Sequence, residues 1–267
     1  MPLVMTAKIR IANLRKMFKL PDESHEVEAI RHVTFDIHAG RFVILFGPSG
    51  CGKSTLLNII AGFEKPTEGE VLLEGRPITG PGPERGFVFQ EFVMYPWRTV
   101  LGNVAIGLDV QKKMDKEARL DRAREMVKLV GLGGFEDRYT HILSGGMKQR
   151  VAIARSLATD PEILLMDEPF GALDAQTRRT LQDDLLRIWQ RMSKTIVFVT
   201  HSVQEAVLLG DQVISLSGRP STINGVFDIA LPRPRDTTDP KFVEIERELM
   251  QLLGAGKGAR PATLVHD

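Results

Sequence analysis

The sequence predicts an α/β fold: a mainly parallel sheet, an antiparallel β segment ahead of it and a block of helices inserted within it. Three observations carry that expectation. A short run rich in β-branched and aromatic residues, Arg41-Phe42-Val43-Ile44-Leu45-Phe46, enters a glycine-rich loop at 47–55, and Thr55-Leu56-Leu57-Asn58-Ile59-Ile60-Ala61 leaves it as a buried helix ended by Gly62. Two further apolar runs, at 163–167 and 195–200, are separated by an amphipathic segment, the alternation that gives right-handed crossovers. From about 91 to 160 the periodicity is helical instead.

Taken in order, residues 8–14 alternate polar and apolar and predict a half-buried strand. Phe18 follows, and the residues alone leave open whether it stacks on a purine or packs a sheet edge. Residues 21–24 read as a loop, and the run 26–37 alternates again before His38-Ala39-Gly40 turns it into the strand ahead of the glycine loop. A strand at 69–75, a proline-rich loop at 77–83 and a strand at 86–90 ending on the amide of Gln90 come next. Asp115 is placed to cap a helix reaching Gly131, and Leu143-Ser144-Gly145-Gly146 opens another. After the strand at 163–167, an amphipathic helix is expected over 174–192, strands at 195–201, 212–216 and 226–231, and a closing helix from Asp239 or Pro240 to Leu253. Residues 1–253 are therefore expected as one domain, with core segments at about 1–90 and 161–253 and a helical subdomain at about 91–160. Residues 254–267, with Gly254, Gly256, Gly258 and Pro261, read as a flexible tail.

Composition narrows the classes. The chain has 267 residues, with 35 Lys plus Arg against 34 Asp plus Glu, so no basic excess points to a nucleic-acid partner. No apolar run approaches the roughly 18 residues that span a bilayer, and the first residues lack the layout of a secretory signal. The single cysteine, Cys51, fits a reducing compartment and lies inside the glycine loop. It is expected to serve there as a small fitting residue, with alkylation that blocks the loop as the other reading.

The loop Gly47-Pro48-Ser49-Gly50-Cys51-Gly52-Lys53-Ser54-Thr55 fits G-x-x-x-x-G-K-[ST], the phosphate cradle. Its glycines let backbone N–H groups turn toward an anion at a helix N-terminus. Lys53 is expected on the β/γ-phosphates and Ser54 on Mg²⁺, so the chain is expected to bind a nucleoside triphosphate. Gln90, Asp167, Glu168 and His201 all follow strand ends, where parallel sheets hold ligands. Asp167 takes the place of the second Mg²⁺-binding acid, Glu168 that of the base acting on water, and His201 that of a phosphate sensor. Ser144-Gly145-Gly146 repeats the hydroxyl-and-glycine pattern at a second helix N-terminus. If both loops cannot reach one nucleotide within a monomer, two copies facing head to tail would complete two sites.

With those residues in view, the chain resembles an ABC-type ATPase of the P-loop NTPase class over about residues 8–232. The resemblance rests on the loop 47–55, Gln90, Leu143-Ser144-Gly145-Gly146-Met147-Lys148-Gln149-Arg150, Leu164-Leu165-Met166-Asp167-Glu168, Ala172-Leu173-Asp174 and His201. It implies a RecA-like core, two ATP molecules at the interface of a homodimer, and Ser144, Gly145 and Gly146 closing on the partner's ATP. It also implies Phe18 on the adenine, Ser54, Gln90 and Asp167 around Mg²⁺, Glu168 as catalytic base, His201 as γ-phosphate switch and Asp174 communicating across the interface. Gln90-Glu91, Tyr95-Pro96-Trp97, residues 100–104, the stretch 167–178 and Leu231-Pro232-Arg233-Pro234-Arg235 resemble the nitrate/sulfonate/taurine importers. That likeness implies an energy-coupling subunit, peripheral on the cytoplasmic membrane face, working with a separate permease that contacts about residues 91–104. An external solute-binding protein would act indirectly, and no regulatory C-terminal barrel is expected. The other readings are an exporter or lipid-trafficking ATPase and a soluble ABC ATPase acting on nucleic acid or the ribosome.

Overall fold

The computed structural model describes residues 7–19, 26–254 and 262–264. In chain order its elements begin with β1 (Ala7–Lys19), β2 (Glu26–His38), β3 (Phe42–Phe46), α1 (Lys53–Ala61), β4 (Glu68–Leu73) and β5 (Arg76–Pro77). They continue with β6 (Arg85–Val88), α2 (Val100–Gln111), α3 (Lys116–Leu129), a 3₁₀ turn (Thr140–Ile142), α4 (Gly145–Ala158), β7 (Ile163–Asp167) and α5 (Ala175–Met192). The chain ends with β8 (Thr195–Thr200), α6 (Val203–Leu209), β9 (Gln212–Leu216), β10 (Ile223–Asp228), α7 (Pro240–Gly254) and β11 (Ala262–Leu264). Two compact units result: one holds the described residues up to Gly82 and from Thr195 on, the other runs Pro83–Lys194.

In the first unit the alternating N-terminal runs form the expected antiparallel sheet, in the order β2-β1-β4-β5. Ile9 faces Ile37 and Ile11 faces Phe35, which puts one apolar row inside. The register then slips between Ile11 and Leu14, where Asn13 and His32 both take positive φ and join side chains at 2.9 Å. This bulge shifts the buried phase by one residue. Leu14 and Lys16 thereby turn inward.

The second sheet of this unit is centred on β3, every residue of which is buried. β3 pairs in parallel with β8 on one side and β9 on the other. Flanked on both edges, it reads in sequence as an unbroken apolar run. β10 runs antiparallel to β9 and carries β11 in parallel. β11 occupies part of the stretch read as a tail; residues 255–261 and 265–267 lie outside the described residues. α1 packs on β8, α6 on β3 and β8, and α7 on α6.

In the second unit β6 and β7 pair in parallel, and α4 packs on β6 and against α2, α3 and α5. Ser156 fastens α4 to the strand by donating to the Phe87 carbonyl at 2.7 Å. β6 stops at Val88, two residues short of the predicted end, so Gln90 sits in the bend that follows. α2 carries Gly102 and Gly107, which interrupt its apolar pattern. β10 starts and ends about three residues earlier than its predicted span.

Gly62 shows the tightest backbone constraint near the loop helix. It closes α1 at φ +82°, and a Cβ there would lie 2.2 Å from the carbonyl oxygen of Gly80. Gly62→Ala is expected to cost about 2–4 kcal/mol, from left-handed strain plus a backbone clash that no rotamer relieves. A urea melt of the variant matching the parent would contradict this.

Candidate nucleotide site

The predicted site residues fall in both compact units, and each group has its own local architecture. In the first unit, β3 delivers the chain into the loop and α1 carries it away. Gly47 has to be glycine because a Cβ would come within 2.8 Å of the Leu216 carbonyl oxygen on β9. Gly50 and Gly52 have φ of +73° and +108°, conformations that expose successive N–H groups, and a Cβ on Gly50 would meet nothing within 4 Å. The Cys51 N–H donates to the Pro48 carbonyl, and its side chain is 1 % exposed. That burial agrees with a small residue fitted under the loop.

The helix that leaves the loop differs from those that follow. α2, α3, α4, α5 and α6 each begin on a side-chain cap, from Thr99, Asp115, Ser144, Asp174 and Ser202 respectively. α1 begins on left-handed Gly52 with no side-chain cap and no acid in its first turn. The first N–H groups of a helix have no intrahelical acceptor, so this end is left to an anion. Lys53, buried, donates from Nζ to the carbonyls of Gly47 and Pro48, both at 2.9 Å. An ammonium has three donors, so one remains for a ligand. These features fit a polyphosphate.

Phe18 lies near the end of β1, half-buried. Lys16 Nζ stands 4.7 Å from its ring centroid, a cation–π distance. The same ammonium donates to Glu64 at 2.6 Å and to the Lys65 carbonyl at 2.8 Å, both just beyond α1. Sequence reasoning missed Lys16; the signal was Asn13, whose bulge reverses which face is inward. His201 follows β8, exposed, directly before the Ser202 cap of α6.

In the second unit, Asp167 is the last residue of β7 and Glu168 follows at φ +40°. A non-glycine residue in that region is strained, and such residues gather at functional sites. The strain is held from below by buried Pro169 and Phe170 and by the Gly171 N–H donating to the Glu168 carbonyl at 3.1 Å. Asp174 caps α5, accepting from the Thr177 N–H at 2.9 Å, and that hydrogen bond holds its carboxyl below the ordinary aspartate range.

Ser144 Oγ accepts from the Met147 N–H at 3.3 Å, which leaves its own hydroxyl proton to donate. Gly145 and Gly146 form the first turn of α4, and a Cβ on Gly146 would lie 2.5 Å from Thr177 Cγ2 of α5. Gly146 thus permits close helix packing, a role the sequence did not reveal. Arg150, further along α4, donates to the Val130 carbonyl at 2.7 Å and pairs with Asp184 of α5.

Gln90 is exposed and lines a groove of about 650 Å³ with Glu91, Phe92, Val93, Pro96 and His141 among others. Trp97 beside it is 71 % exposed and Pro96 is exposed as well, so neither packs into a core. Of the stretch 91–104, the early residues line the groove, whereas Val100, Asn103 and Val104 are buried. Asn103 shapes the stretch instead: its amide donates to the carbonyls of Tyr95, Arg98 and Thr99 and accepts from the Tyr95 N–H.

Comparison with known proteins gives the same picture. The family model described as ABC transporter matches residues 30–171. An uncharacterized ABC transporter ATP-binding protein of Methanocaldococcus jannaschii is 51% identical over 249 residues, covering 93% of this chain and 92% of that protein. An aliphatic sulfonates import ATP-binding protein of Bacillus cereus is 45% identical over 234 residues, 88% of this chain and 92% of that one. Among solved structures, a dimeric ATP-binding cassette in a post-hydrolysis state bound to ADP and Pi superposes with a TM-score of 0.73 at 35% identity, over 84% of this chain and all of that one.

The Asp174 cap has a pH signature. Its carboxyl is lowered, so its stabilising contribution is present at neutral pH and is lost as pH falls through the depressed value. Asp174→Asn keeps an acceptor for Thr177 without that titration, whereas Asp174→Ala removes the acceptor at every pH. Amide exchange at Thr177 and Arg178 should speed up in the alanine variant; equal protection in both variants would discount the cap.

Proposed function

Because the chain belongs to the ABC transporter family, we propose that it is the ATP-hydrolysing subunit of an importer for small anions of the sulfonate or nitrate kind, powering a permease made of other chains. The observation that carries the nucleotide reading is the uncapped N-terminus of α1, with Lys53 folded onto the loop carbonyls. The loop's N–H groups bind the phosphates, and the free donor of Lys53 binds the β/γ end. Phe18, backed by Lys16, takes the adenine face. Ser54, Asp167 and Gln90 would supply hard oxygen donors of the kind Mg²⁺ accepts. When bound, that ion neutralises charge on the phosphates.

Glu168 accepts a proton from the attacking water, and His201 donates to the γ-phosphate. Ser144, Gly145 and Gly146 of a second copy close on the same ATP, and Asp174 lies next to that contact. The dimeric cassette bound to ADP and Pi supports this arrangement by similarity. No helix among the described residues is long and apolar enough to cross a membrane. We assign the pathway to partner chains, which dock on the groove beside Trp97 at the cytoplasmic face, with an external solute-binding protein choosing the anion. The sulfonate importer relative supports the direction and class of cargo.

Two substitutions test the chemistry. Glu168→Gln should retain ATP binding, lower turnover by about 10²–10⁴-fold and accumulate an ATP-bound dimer on size exclusion. Hydrolysis at the parental rate would assign the base elsewhere. Lys53→Ala should weaken ATP binding by roughly tenfold to a hundredfold, the value of one charge-assisted hydrogen bond, as read by titration with a fluorescent nucleotide. Unchanged affinity would sink the cradle assignment.

A further inference from the structure

The run Leu231-Pro232-Arg233-Pro234-Arg235 stands out in the sequence, yet the proposed chemistry gives it no task. Both of its arginines lie at the carbonyl end of α6. The last carbonyls of a helix have no partner within it, and here water cannot serve, because residues 206–209 are buried. Arg235 Nη1 donates to the carbonyls of Val207 and Gly210, each at 2.6 Å, and to that of Leu208 at 3.4 Å. Its Nη2 reaches the Ile229 carbonyl and its Nε the Leu231 carbonyl, both at 3.2 Å. Arg233 donates to the Leu209 carbonyl at 2.5 Å and pairs with Asp211. Two guanidinium groups therefore close four successive carbonyls, 207 to 210.

The charge is well placed, since a cation complements the negative end of a helix dipole. Burial, and after it the neighbouring Arg233, lowers the Arg235 pKa to about 10, with Asp211 opposing, so the group stays charged at neutral pH. Asp211 also accepts from the Phe42 N–H at 2.9 Å, which ties this latch to the start of β3 and so to the strand that feeds the phosphate loop.

His201 lies directly before the Ser202 cap at the opposite end of α6. There Thr200 donates to Glu205 at 2.5 Å, the Ser202 N–H donates to Thr200 Oγ1 at 3.0 Å, and Ser202 Oγ accepts from the Glu205 N–H at 3.3 Å. α6 is only seven residues, about 10 Å long. Its carbonyl end is therefore only about 10 Å from the cap beside the histidine.

We propose that Arg235, assisted by Arg233, is a positioning residue for His201: it locks the far end of α6 so that the imidazole is held in place for ATP turnover. This rests on His201 contacting the γ-phosphate, as assigned above.

The test uses the full chain and a double-substitution cycle. Arg235→Lys keeps the charge but loses the planar fork that spans several carbonyls. It should lower kcat about tenfold while leaving KM for ATP within about twofold, because a small misplacement of a reacting group falls on turnover. His201→Ala should lower kcat by itself, and Arg235→Lys added to it should bring no further loss, since both act through one group. A tenfold loss that recurs in the His201→Ala background, or parental turnover in Arg235→Lys, overturns the proposal. Should Arg235→Lys fail to fold, Arg233→Lys decides: a several-fold loss of kcat that vanishes in the His201→Ala background supports the latch, and an equal loss or none overturns it. His201→Ala with parental kcat would remove the histidine's assigned role and the latch together. A slowed His201→Ala beside an unaffected Arg235→Lys would remove the latch alone.

Discussion

A buried positive charge that meets only carbonyls among the described residues governs the first unit. Lys53 opens α1, at the positive end of the helix dipole, and bonds to two loop carbonyls. Burying an ammonium costs several kcal/mol unless polar groups replace its water, and the dipole adds to that cost here. The surroundings are arranged to tolerate this. Gly47 lets the loop pass against the Leu216 carbonyl, β3 is braced by parallel strands on both edges, and α1 is left without an acidic cap. An anion resolves both unfavourable features at once. The loop is thus electrostatically suited to an anion.

The parts that were legible in the sequence are those whose cause is local. A strand, a glycine loop and a helix announce themselves by period and by residues with special backbone freedom, and Asp115 and Ser144 announce their helices by capping chemistry. What was hidden depends on partners distant in sequence. Lys16 reads as an outward strand residue until Asn13 and His32 are seen to form a bulge across two strands. Gly146 reads as a flexible anion-binding residue until Thr177 is found 2.5 Å from where its Cβ would be. The five carbonyls around Arg235 come from α6 and from the chain after β10, and no local pattern records that convergence. The exposure of Trp97 is of the same kind, since an aromatic flanked by Tyr95 and Pro96 has the composition of a core segment.

Strain and packing are divided between the two units in a consistent way. Left-handed backbone occurs where the chain turns out of a strand, at Gly50 and Gly52 after β3 and at Glu168 after β7, and also at Asn13, His32, Glu74, Val93, Lys112, Asp160 and Ser193. The adjoining elements are closed by ordinary means: capped helices, buried apolar strands and arginines on orphan carbonyls.

Lys16 has one more effect. Its ammonium touches the Phe18 ring and the segment just past α1 at the same time, which ties the aromatic edge of the antiparallel sheet to the end of the phosphate helix. In the function proposed above, a nucleotide would bridge them, base at one end and phosphates at the other, with its two docking points already tied together. The entropy of bringing them together has been spent during folding rather than at binding. Chemical selectivity then follows from length: a molecule with the right ends but the wrong span cannot engage both, however favourable each end is alone.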